Sequence, residues 1–215
     1  MNPSPDLKEA LIDLRKAYRF IWLYQRRVLD LVKETALMFD MDFLGWSPVH
    51  FDRIGKVGTD PTGKWAWDLI PFYSASFLYV QPSYNHSHRR QGEWMLEISV
   101  NSDDGFDSSS KKNFEPNVSD FRLPEECNSW FELYCWFSTK TVEGNDWWQL
   151  WDWNSDIELP GDGEIKEDTK RQLKITGRKY NLYTVKDKES LIQVVSEFKK
   201  HIKDIFDIDS RQHAR

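Results

Sequence analysis

Cysteine is scarce in this sequence: Cys127 and Cys135, eight positions apart, are the two among 215 residues. A small secreted fold stapled by disulfides needs several pairs, so that class is excluded and two reduced thiols are expected. Their spacing is also wrong for a zinc ribbon. Long apolar runs are missing too. No window approaches eighteen uninterrupted apolar residues, so no membrane-spanning helix is expected. The opening Met1-Asn2-Pro3-Ser4-Pro5-Asp6 has neither the basic region nor the apolar stretch of a secretory signal. A cytoplasmic location without membrane association is the expectation. Positive charge is in deficit, with 29 Lys and Arg against 35 Asp and Glu, a net charge of −6 and a pI near 5.4. Neutralising a phosphate backbone needs a local excess of cations, which disfavours a generic nucleic-acid binder.

Catalytic signatures are likewise missing. There is no phosphate-binding Walker loop, no dinucleotide glycine fingerprint, no Gly-x-Ser-x-Gly and no His-Glu-x-x-His. A magnesium nuclease of the restriction type places Glu-x-Lys on a strand, and Glu164-Ile165-Lys166 lies instead in a charged stretch beside Gly161 and Gly163. Glu97, on a predicted strand, is followed by Ile98-Ser99 and lacks the lysine. The segment Asn101 to Asp107 does not match a calcium loop, because Gly105 is misplaced. His86-Ser87-His88 offers two ligands where zinc requires three or four, and His50 and His201 are isolated. Neither a metal nor a cofactor is expected.

Tryptophan, in contrast, is abundant at 11 residues, and hydrophobic residues make up 40% of the chain. So much indole implies a thick aromatic core or a surface built for contact. The first element is well marked. Leu7, Leu11, Leu14, Tyr18, Ile21, Val28, Val32, Ala36 and Phe39 recur at helical spacing, which predicts a helix over residues 5–39, on the order of 50 Å long. That exceeds what a domain of this size needs. Either the helix breaks in two, or its far end packs on something else, for which a second subunit is the natural candidate. Residues 1–40 are therefore read as a docking or oligomerisation segment, continuous with an α+β domain over 41–215.

Residues 40–64 read as irregular, broken by Gly45, Pro48, Gly55, Gly58, Pro61 and Gly63. Strands are predicted at 72–80 and 93–100, paired as a hairpin, with Trp94, Leu96, Ile98 and Val100 on one face and Glu97 and Ser99 on the other. Further strands are predicted at 130–139, at 147–153 and at 172–185, the last interrupted at Gly177. Residues 101–113 and 160–170 read as exposed loops. Asp187 caps a final helix over 188–206, with Ser190 at its third position. The sum is an α+β fold with a long N-terminal helix, a mainly antiparallel aromatic-rich sheet of about five strands, and a C-terminal helix packed with the first on one sheet face.

Several constellations carry candidate chemistry. If residues 147–153 form a strand, Trp147, Trp151 and Trp153 share one face and Trp148 the other, with Asp146, Asp152 and Asp156 as acceptors. Such a block serves as a stacking and contact platform or as a strand buried on both sides. Asp68, among Trp65, Trp67 and Leu69, must be paired or perturbed, as a catalytic acid or metal ligand, or as a turn cap or the partner of an arginine on the first helix. Lys8, Arg15, Arg19, Arg26 and Lys33 form a basic stripe beside the apolar face of the first helix. It suits an acidic partner, a phosphate backbone, or plain solvation.

These features point first to a non-enzymatic binding or regulatory module acting by protein–protein contact. Arg15, Arg19, Arg26, Trp148, Trp151 and Trp153 are its candidate partner-binding residues, since Arg and Trp are enriched at interface hot spots. The partner is another protein or a second copy. Net acidity suits an inhibitor or accessory subunit of a basic nucleic-acid-handling protein. The alternative is an enzyme or binder acting on nucleic acid or nucleotides through the basic stripe and the aromatic sheet.

Overall fold

The computed structural model describes residues 5–53, 55, 56, 58–106, 115–153 and 157–208. Helix α1 (Pro5–Phe39) runs its 35 residues without a break. In chain order there follow β1 (Asp42–Pro48), β2 (Ser74–Val80), the short β3 (His88–Arg89), β4 (Trp94–Asn101), β5 (Trp130–Ser138), the short β6 (Val142–Glu143), α2 (Trp147–Trp153), β7 (Ile165–Asp168), β8 (Leu173–Asn181) and α3 (Lys188–Phe206). Six strands form one antiparallel sheet in the order β1-β2-β4-β5-β8-β7, and β3 pairs with β6 in a separate ribbon. The α+β class read from the sequence is the observed one, with six strands in the main sheet.

Strand alternation sorts the side chains into two faces. Ala75, Phe77 and Tyr79 of β2, Trp94, Leu96, Ile98 and Val100 of β4, and Phe131, Leu133 and Cys135 of β5 form the first face. Both long helices cover it, α1 through Val28, Val32, Ala36 and Phe39, and α3 through Leu191, Val194, Val195, Phe198 and Ile202. The start of α3 is held as expected: Asp187 accepts from the Ser190 N–H, and the Ser190 hydroxyl closes the reciprocal bond. Polar ties fix the C-terminal half of α1. Tyr24 Oη lies 2.8 Å from Ser102 Oγ, and Arg27 donates to the Val185 carbonyl at 2.6 Å.

The second face is apolar only in part. Leu78, Val80, Met95, Trp136, Leu173 and Ile175 form a core that α2 caps with Trp147 and Leu150. Beyond this cap the same face turns polar. The pairing aligns Ser47, Ser76, Ser99, Glu132 and Lys179 in one row across β1, β2, β4, β5 and β8.

Four local expectations are corrected. Residues 147–153 are a helix and not a strand, because Asp146 Oδ1 accepts from the Gln149 N–H at 2.7 Å while Gln149 returns a bond to the Asp146 N–H. This capping box brings Trp147, Leu150 and Trp151 to one side at helical spacing. Residues 42–48, read as irregular, form an edge strand with a bulge between Phe43 and Gly45. Gly45 is needed there because a Cβ would meet the Trp148 ring at 2.3 Å. The charged stretch at 160–170 contributes the edge strand β7. Finally, β8 passes through Gly177 without interruption.

Candidate functional site

Two surfaces stand out, and they lie on opposite sides of the sheet. The first is the free half of α1. Leu7, Leu11, Leu14, Tyr18, Ile21, Gln25, Val28, Val32, Thr35 and Phe39 follow alternating steps of four and three, the spacing of a coiled-coil seam. Along one helix this seam changes environment. Val28, Val32, Thr35 and Phe39 are buried in the body of the protein, whereas Leu7, Leu11, Leu14 and Tyr18 are exposed. Tyr18 keeps 67% of its surface and Leu14 48%, although both continue the line that packs the core. Phe20, Trp22 and Leu23 are exposed as well, at 59–72%, so residues 18–23 present apolar side chains all around the helix. A helix of this kind is ordinarily enclosed.

Arg15, Arg19 and Arg26 lie on this helix, exposed, as the sequence placed them, with Arg26 held 3.3 Å from Asp30. Residues 6–27 carry six cations against three carboxylates, so the excess negative charge of the chain resides elsewhere.

The second surface is a cavity of about 420 Å³ where the polar row of the second sheet face meets α2. Ser47, Ser76, Ser99, Glu97, Glu132, Arg53, Trp136 and Trp151 contribute to its walls. Glu97 is its most constrained group. It is 3% exposed, and Trp136 Nε1 donates to its Oε2 at 2.8 Å. Burial raises its pKa above the usual carboxylate range, and the nearby Glu132 adds to the rise; hydrogen bonds from Ser76, Trp136 and Trp151 act against it. Among the described residues, Glu97 makes no salt bridge. Glu132 is paired 3.1 Å from Lys179, whose ammonium in turn lies over the Trp130 ring. On the β1 side, Arg53 Nε donates to Ser47 Oγ at 3.1 Å and its guanidinium lies 5.6 Å from the Trp148 ring centre. His50 lines the cavity as well, its pKa lowered by burial.

The structure thus separates the six partner-binding candidates. The three arginines lie on α1, whereas Trp148 and Trp151 are half-buried side chains of α2, one over Gly45 and the other bonded to Glu97. The side chains of Asp152 and Trp153, and residues 154–156, lie outside what is described. The other candidates serve locally. Asp68 accepts from the N–H groups of Asp52 and Trp65, which makes it a turn cap. Glu164 accepts from the Gly161 N–H, and Lys166 pairs with Glu158 at 2.8 Å. His88 contacts Ser87 Oγ through one ring nitrogen and accepts from Arg90 through the other. Asp103, Asp104 and Cys127 could bring ligand atoms within 4.8 Å of one another, but Asp104 already accepts from Asn128 N, Trp130 Nε1 and Arg122. Cys127 and Cys135 are free thiols.

Among the described residues no helix is long and apolar enough to cross a membrane. The model of the family described as PM0109 matches residues 4–206, and the chain belongs to that family. No curated protein and no solved structure matches it.

Proposed function

We propose that this PM0109-family chain is a non-enzymatic binding subunit that docks another protein on the projecting half of α1. The docked element is a helix with an apolar stripe flanked by carboxylates. One observation carries the reading: a single 4-3 seam is buried from Val28 onward and uncovered from Leu7 to Tyr18. A seam of this period is satisfied by a second helix. Fully burying each of its large side chains is worth roughly 1.5–3 kcal/mol.

Charge selects the partner. Lys8 and Arg15 flank the seam, with Arg19 and Arg26 on the same side. In an antiparallel pairing of two copies, Lys8 of one would face Arg15 of the other, a like-charge contact. A helix with Glu or Asp in those places makes charge-assisted contacts instead. At the docking surface local charge governs over net charge, so the docked segment is acidic even where its parent protein is basic. An accessory subunit of a nucleic-acid-handling assembly meets this description.

The test is affinity purification from the source organism with in-cell cross-linking, comparing the natural chain with a Leu11→Asp, Leu14→Asp double variant. The expected result is a protein cross-linked to α1 through an acidic amphipathic helix and lost from the double variant. A homo-oligomer held by α1, a nucleic acid retained through the arginines, or identical partners for both chains would overturn the reading.

A further inference from the structure

The cavity on the second sheet face is independent of α1, and nothing in a docking role uses it. We propose that it is a binding site for a small molecule recognised through a protonated primary amine, with the ammonium held between Glu97 and Glu132.

Glu97 is costly to the protein where it stands. On its strand it follows Met95, and its cross-strand partners on this face are Leu78 and Tyr134. A leucine there would extend the apolar core under α2. The chain instead buries a carboxyl group and surrounds it with donors, namely two indole N–H groups and the Ser76 hydroxyl. These donors are neutral. They orient the oxygens and supply no compensating charge, and replacing a buried ionic group by packed apolar side chains is commonly stabilising. A perturbed carboxyl lining a cavity marks a candidate ligand site.

The walls narrow the ligand class. A cavity near 420 Å³ is within the range of small-molecule sites. Two carboxylates on adjacent strands, Glu97 on β4 and Glu132 on β5, oppose a phosphate or other anion and favour a cation. Glu132 is balanced by Lys179 on its outer side, so the carboxyl group without an ionic partner among the described residues is the one at Glu97. An ammonium group has three donors and no acceptor, which matches a carboxylate pair and serine oxygens. Ser76 Oγ and Ser99 Oγ, 3.4 Å apart, stand beside the carboxylates and can accept or donate to a hydroxyl on the remainder of the ligand. On the β1 side Arg53 places a fixed positive charge, which disfavours a second amine there. The site therefore fits a hydroxylated monoamine and rejects a polyamine.

Isothermal titration of the full chain with 3-amino-1-propanol, ethanolamine, 2-amino-1,3-propanediol, propane-1,3-diol and spermidine tests this. At least one of the three monoamines should bind, with the diol and spermidine much weaker. Glu97→Gln should reduce monoamine affinity by about ten- to a hundredfold while its thermal transition stays cooperative. Trp151→Phe, which removes one donor to Glu97 and leaves the carboxyl group, should weaken binding less. Equal binding of diol and monoamine, monoamine binding indifferent to Glu97→Gln, or no binding of any monoamine would each overturn the assignment. If Glu97→Gln fails to fold, Ser99→Ala at the same wall must weaken the monoamine selectively for the proposal to stand.

Discussion

Trp136 Nε1 donates to Glu97 Oε2 at 2.8 Å across the β4–β5 pair, fixing a carboxyl group in a cluster otherwise built from Leu78, Met95 and Tyr134. Burial raises the pKa of Glu97 in the folded chain above its value in the unfolded chain. Between those two values the folded state holds a proton that the unfolded state has released. Stability contributed by this group is therefore present at low pH and is lost as pH rises through the folded value. Glu97→Gln removes the dependence. Its Tm should coincide with that of the natural chain near pH 4 and exceed it at pH 8. A variant that is less stable at pH 8 than at pH 4, relative to the natural chain, contradicts the sign.

The seam of α1 makes a paired prediction about one helix. Phe39 is buried between Trp94 and Phe198, with ring centroids 6.0 Å from each, and Phe39→Ala should cost about 3–5 kcal/mol. Leu14 lies on the same seam but projects into solvent, and Leu14→Ala should change stability by less than about 0.5 kcal/mol. Chemical denaturation of the isolated chain separates the two cases. A large loss at Leu14 would mean that the exposed half is already covered by a second copy in solution.

The two long helices were legible because their signals are local. Apolar spacing runs from Leu7 to Phe39, and the Asp187–Ser190 cap stands immediately before the last helix. The tryptophan block misled for an equally local reason. Aromatic residues favour strands, and alternation of Trp outweighed a capping box that was present in the sequence as Asp146 and Gln149. Strand β1 was hidden by Gly45 and Pro48, both of which a bulged edge strand tolerates. The cavity was legible only in fragments. Glu97 and Ser99 were placed on the polar face of their strand, but Ser47, Ser76 and Glu132 join them through register across four strands, which no local pattern encodes. The exposed seam could not be distinguished from a buried one, since the difference lies in where the body of the protein ends.

The cap of α3 predicts a modest and pH-dependent loss. Asp187 accepts from the Ser190 N–H and hydroxyl, and these bonds hold its pKa below the usual carboxylate value. A depressed carboxylate contributes stability above its unfolded pKa and loses it as pH falls through the folded value. Asp187→Ala should lower Tm by about 2–4 °C at pH 7 and by less at pH 3, read by circular dichroism. An equal deficit at both pH values would show that the ionised side chain is not what caps the helix.

Gly177 and Tyr134 face one another across the β5–β8 pair, and the phenol ring lies over the glycine so closely that a Cβ there would come within 2.2 Å of it. The backbone of Gly177 has no positive φ, so any effect of substitution comes from that contact and not from conformational strain. Gly177→Ala must push the ring away. Tyr134 packs in the core under α2, so the displacement should cost about 1–3 kcal/mol. In a Tyr134→Leu background the ring is gone, and the same Gly177→Ala change should cost under about 0.5 kcal/mol; alanine even gains from its lower unfolded-state entropy. The double-mutant cycle by denaturant titration gives the coupling directly. Equal costs in both backgrounds would mean that the ring does not rest on Gly177, and with it would go the packing that sets the inner wall beside Glu97 and Trp136.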